Sequence, residues 1–116
     1  MAAVSIENSQ HYAWGADCDG WHLCKTQGLS VIQERVPSGA EEICHSHVYA
    51  EQFFYVLSGT ATLEVDGETF TLMPNHGLHV ASGVPHKLKN IDSDDLIFLV
   101  TSTPPSHGDR VEQPLP

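Results

Sequence analysis

Apolar and polar residues alternate with period two in run after run of this chain, and no useful window shows the three- and four-residue recurrence of an amphipathic helix. Such alternation belongs to half-buried strands, so the chain reads as all-β. The runs predict strands over residues 29–36, 52–57, 60–65, 68–72, 78–80, 87–90 and 96–101. Asp66-Gly67, between Ala61-Leu63-Val65 and Phe70-Leu72, supplies the two positive-φ positions of a tight type I′ hairpin turn. Pro37-Ser38-Gly39, Ser58-Gly59, Pro74-Asn75-His76-Gly77 and Ser82-Gly83-Val84-Pro85 mark further turns, spaced so that short strands follow one another without crossover helices. A small sandwich or barrel is the expected outcome.

With 116 residues and 12.7 kDa there is room for one domain and one core, and 41% hydrophobic residues suffice to build it. Residues 1–27, with Tyr12, Trp14 and Trp21, are expected to pack on a barrel spanning about 28–103, and the proline-rich tail over 104–116 to wrap the surface or stay disordered. Fifteen acidic against five basic side chains give a formal charge of −10, which repels nucleic acid and anionic membranes. No apolar run approaches a membrane span, and the N-terminus lacks the pattern of a signal peptide. Cys18, Cys24 and Cys44, an odd number without paired spacing, read as free thiols and fit a cytoplasmic location. Asp92, Asp94 and Asp95 read as a solvated loop.

Eight histidines are many for so short a chain. On a strand, His45 and His47 would share one face, close enough to hold a common ion. His86 follows a Gly-Val-Pro turn at the start of a later strand and is the candidate third ligand. His79 reads as a surface residue between Leu78 and Val80, and His76 as part of a turn; His22, beside Trp21, could cover a barrel mouth.

Residues 39–59, GAEEICHSHVYAEQFFYVLSG, resemble the first motif of the cupin superfamily: glycine, five residues, His-x-His, a short gap, an acidic residue and a strand ending in glycine. Residues 75–90, NHGLHVASGVPHKLKN, resemble the second, through Gly83, His86 and Asn90, with Asn75 where glycine is usual and Ala81 where proline is usual. The resemblance covers roughly 28–103. It implies a small double-stranded β-helix, a cupin jelly-roll barrel, holding one divalent transition metal (iron, manganese, nickel, copper or zinc) on His45, His47 and His86. The family's usual fourth ligand, a glutamate seven positions before the closing glycine, is here Gln52; Glu51 is one residue off, and only a bulge would turn it inward.

Three neutral imidazoles without a carboxylate would leave the ion its full charge and open positions for a bidentate oxygen ligand, dioxygen or water. The expected function is a metal-dependent enzyme acting on a small organic acid or diketone-like molecule, with dioxygenation first because similar three-histidine cupin sites occur in dioxygenases. A metal-dependent isomerase or epimerase and a non-catalytic binding module are the alternatives. Phe54 and Val56, inward with Gln52, are candidate cavity residues, and Arg35 could hold a substrate carboxylate if its strand face points inward. A homodimer burying the aromatic N-terminal region is also expected.

Overall fold

The computed structural model describes residues 2–112. Eleven strands and no helix appear among them: β1 Gln10–Trp14, β2 Cys18–Lys25, β3 Ser30–Val36, β4 His45–His47, β5 Glu51–Ser58, β6 Ala61–Val65, β7 Glu68–Leu72, β8 Gly77–Val80, β9 His86–Lys89, β10 Leu96–Thr103 and β11 Arg110–Glu112. They form two antiparallel sheets, β1-β2-β3-β10-β5-β8 and β11-β4-β9-β6-β7, closed face to face into the expected jelly roll. With no helix at all among the described residues, none is long and apolar enough to cross a membrane.

Alternation decides what lies inside. On β3 the inward residues are Ser30, Ile32, Glu34 and Val36; on β5, Gln52, Phe54 and Val56; on β10, Leu96, Phe98, Val100 and Ser102. Antiparallel register sets these in rows, Val56 opposite Phe98, Phe54 opposite Val100 and Gln52 opposite Ser102, so the interior grades from apolar to polar along one strand pair. Leu63 and Leu88, paired across β6 and β9, close the apolar end from the second sheet.

Each strand read from the sequence is present within two residues at either end. Asp66 and Gly67 both take positive φ, 50° and 84°, the type I′ geometry, and join β6 to β7 with Val65 opposite Glu68. Four strands were not among those read. Residues 10–14 and 18–25 extend the first sheet as β1 and β2, with Tyr12 and Trp14 packed on its core. The three residues of β4 were seen as a His-x-His strand pair but not bounded as an element. The tail returns as β11 to pair with β4, and residues 113–116 lie outside the described residues. Asn90 is a scaffold residue: buried, its amide donates to the carbonyls of Val36 and Asp94 while its oxygen accepts from the Asp92 amide, shaping the acidic loop.

Gly59 and Gly67 have positive φ for different reasons. At Gly67 a side chain would meet open space, whereas at Gly59 a Cβ would overlap the Asp95 carbonyl oxygen. Gly67→Ala should therefore cost about 1 kcal/mol of backbone strain, and Gly59→Ala at least about twice that, as two urea midpoints will read out.

Candidate functional site

The site begins with a register. His45 on β4 stands directly opposite His86 on β9, and His47 follows two residues on, so three imidazoles share one inward face. Their ring centroids lie 4.5 Å (His45–His86), 4.9 Å (His45–His47) and 5.7 Å (His47–His86) apart, and one ring nitrogen from each lies within 4.8 Å of the others. All three are buried. The three histidines picked out in the sequence thus come together as a group that could hold a metal ion.

Tautomers follow from the second ring nitrogens. Nδ1 of His45 lies 2.8 Å from the Ile43 carbonyl and Nδ1 of His86 lies 2.9 Å from the Val84 carbonyl. A carbonyl only accepts, so both protons sit on Nδ1 and both Nε2 atoms carry free lone pairs. Nδ1 of His47 is buried without a hydrogen-bond partner. Burial pushes the His45 and His47 imidazoles down to about 3 and about 4, and lowers His86 in the same way, so all are neutral near pH 7 and open to a Lewis acid.

Gln52 completes the group. Its amide nitrogen donates to Ser102 Oγ at 2.9 Å, which turns the amide oxygen to within 3.0 Å of His86 Nε2. Two lone-pair donors therefore face each other. Bonds of about 2.1 Å to one octahedral cation would separate adjacent ligand atoms by about 3.0 Å, which is the spacing of the Gln52 oxygen and His86 Nε2. Glu51 has the opposite orientation: it is exposed and pairs with His79 at 2.8 Å on the outer face. No bulge falls between Glu51 and Val56 where β5 pairs with β10.

His45, His47 and Gln52 line a cavity of about 350 Å³, at the lower end of the range for small-molecule sites, and His86 lies buried beside them. Phe54 lines it too, its ring 5.9 Å from that of His86. Val56 does not: it is fully buried beside Phe98 in the core, one row deeper. Arg35 is a correction. It lies on the outward face of β3, where Nε donates to Asp19 at 2.6 Å, Nη2 donates to the Asp17 carbonyl at 2.7 Å and Nη1 lies 3.4 Å from Asp95. The inward face of β3 belongs to Ile32, Glu34 and Val36, so Glu34, not Arg35, reaches the cavity.

Tyr12, Glu34, Glu42, His107 and Arg110 also line the cavity and were not anticipated. Glu34 left a signal, an acid on the otherwise inward Ile32/Val36 face. Glu42 sits in an irregular stretch, and His107 and Arg110 arrive with the returning tail, where no periodicity marks them.

Residues 32–102 match the family model of the cupin domain. An uncharacterised protein of Methanocaldococcus jannaschii is 32% identical over 81 residues, 69% of this chain and 65% of the relative. Quercetin 2,3-dioxygenase of Bacillus subtilis is 32% identical over 59 residues, 51% of this chain and 18% of the enzyme, so the chain spans only part of the relatives it matches. In fold it is similar to an RmlC-like cupin from Shewanella frigidimarina, with a TM-score of 0.82 and 22% identity over 90% of this chain and 92% of that one.

The two registers at residues 51 and 52 predict opposite results. Gln52→Glu should tighten divalent-metal binding to the metal-free protein by about tenfold or more, by adding a charged ligand, and Glu51→Gln should leave it unchanged. Calorimetric titration of both variants decides, and weakened binding in Glu51→Gln alone would refute the placement. The two motifs, the jelly roll they are built into and the family match over 71 of 116 residues (102 − 32 + 1) agree, and this chain belongs to the cupin family.

Proposed function

We propose that this protein is a metal-dependent enzyme acting on a small, enolisable, oxygen-rich molecule, with dioxygenation as the reaction class. The observation that carries the reading is the ligand set: three neutral imidazoles and one neutral amide come together with no carboxylate among them, and His45, His47 and Gln52 line the cavity. A divalent ion held there would supply Lewis acidity to an oxygen-bearing ligand at open coordination positions. The chain does the rest. Ser102 fixes the direction of the Gln52 oxygen, the Ile43 and Val84 carbonyls fix the two Nδ1 protons, and Phe54 gives an enolisable ligand an apolar face against which to lie. The similarity to quercetin 2,3-dioxygenase supports oxygen as the second substrate. Three free cysteines suit a reducing compartment, and we place the protein in the cytoplasm.

Protein purified without added metal or a histidine tag should contain one divalent transition metal per chain, and His47→Ala/His86→Ala should contain none by mass-spectrometric metal analysis. The metal-loaded protein should consume oxygen with quercetin or acetylacetone, and the double variant should not. Exchange of α-protons in D2O without oxygen uptake would replace dioxygenation by the isomerase reading.

We also propose a homodimer, on a different surface from the one the sequence suggested. Tyr12 and Trp14 pack on their own core, whereas the outer face of β5 leaves Phe53 and Leu57 44% and 40% exposed, beside the half-buried Tyr55. A second copy would cover that stripe. Light scattering at micromolar concentration should give twice 12.7 kDa, and Phe53→Ser/Leu57→Ser should give a monomer; a monomeric parent at every concentration ends the idea.

A further inference from the structure

Across the first sheet, Tyr12, Gly20 and Glu34 stand in one row: Tyr12 pairs with Gly20, and Gly20 with Glu34. Gly20 has a negative φ and needs no glycine for its backbone, yet any Cβ there would overlap the Tyr12 ring. Its missing side chain lets that ring lie across β2, bringing the phenol oxygen 3.4 Å from Glu34 Oε2. A glycine and a tyrosine on two strands are thus used to reach one carboxyl group on a third.

That carboxyl is unusual in its surroundings. Glu34 is 8% exposed, and among the described residues it makes no ion pair, its hydrogen bond being the long one from Tyr12. Glu42, half-buried, lines the same cavity, and its Oε1 accepts from the Leu88 amide at 3.0 Å. Of the groups facing Glu34, Glu42 disfavours its charge, while the Tyr12 hydroxyl, by donating to it, and Arg110, from a side chain turned partly to the Ile43 carbonyl, favour it. An unpaired buried acid costs stability that leucine would not, and both glutamates open onto the cavity that holds the histidines.

We propose that Glu34, positioned by Tyr12, is the proton-exchanging group of this cavity and that its ligand is a neutral, hydroxyl-rich molecule of the enol, polyol or phenol class, not a carboxylate or phosphate. The inference rests on the same cavity being the substrate site. A hydroxyl can donate to an ionised carboxylate and accept from a protonated carboxyl, whereas an anion meets two acids that line the same cavity. In the ionised form Glu34 takes the proton of a ligand O–H or α-C–H; the electron pair of that bond stays on the ligand, and the new carboxyl O–H returns the proton in the reverse step. Burial first, and the neighbouring Glu42 second, push the Glu34 carboxyl up to about 8, within reach of both forms near neutral pH. Glu42 is itself raised, to about 7, by burial. The sign is that of an acid favoured protonated: folding stability contributed by Glu34 is full below about pH 4.5 and declines as pH rises through about 8.

Carboxyl ¹³C NMR of the metal-free protein tests the group without any metal. Glu34 should titrate near pH 8; Glu42→Gln should lower that midpoint, and Tyr12→Phe should raise it by removing a donor to the ionised form. A midpoint in the ordinary carboxylate range would overturn the assignment. Ligand class is read with nickel-loaded protein and two probes, catechol and oxalate. Glu34→Leu should weaken catechol binding about tenfold, Glu34→Gln should hold it within about threefold, and both should tighten oxalate. Unchanged catechol binding in Glu34→Leu would overturn the proposal. Metal content is measured in each preparation, so a protein that takes up no nickel refutes the metal-enzyme reading, while the metal-free titration still decides Glu34.

Discussion

The site depends on a single cross-strand pairing, His45 opposite His86. β4 and β9 are short, and a slip of one residue would turn the inward set outward, because strand side chains alternate strictly. Several neighbours prevent that slip. β9 is paired on its other side with β6, whose own register is fixed by the two-residue Asp66-Gly67 turn to β7. β4 is held on its other edge by β11, and Asp109, just before β11, accepts the backbone amides of Val48, Tyr49 and Ala50 just after β4. The three histidines therefore inherit their geometry from a hairpin turn at one end of the sheet and a returning tail at the other.

Within that frame the interior is divided chemically. The histidines and Gln52 offer neutral nitrogen and oxygen donors, held neutral by burial and aimed by backbone carbonyls and Ser102. The same cavity is lined by two carboxyl groups, of Glu34 and Glu42, and by the Tyr12 phenol. A glutamate at position 52 would take up part of the charge of an ion held there; the neutral Gln52 amide would leave that charge to a bound ligand, and the acids Glu34 and Glu42 line the same cavity.

The order in which these features can be read follows from their range in sequence. β3 and β5 to β10 announce themselves through local alternation and turn residues, and the His45-x-His47 pair with His86 is legible because strand period two makes the spacing meaningful. Gln52 was legible too, since counting along one strand settles which of two neighbours faces in. β1 and β2 are less regular, with a register shift between His22 and Cys24, and their burial comes from one side only. Arg35 was considered because a charged residue suggests binding, but alternation through Ile32 and Val36 puts its neighbour Glu34 inside. Tyr12 reaches Glu34 only across Gly20, a contact between three strands that no local pattern encodes.

The tail carries this argument furthest. His107 and Arg110 lie some sixty residues beyond His45 and His47, in a segment whose prolines suggest a surface wrap, yet both line the cavity. They arrive because β11 takes the free edge of β4, and an open edge is where an added strand gains its backbone hydrogen bonds. His107 then lies 5.3 Å from His22 and 5.8 Å from Tyr12, ring centre to ring centre, so the tail touches the same tyrosine that serves Glu34. One segment thus makes two contacts: β11 pairs with the histidine strand β4, and His107 lies against the Tyr12 ring. The segment that local sequence patterns describe least thus touches both the strand of the histidines and the tyrosine beside Glu34.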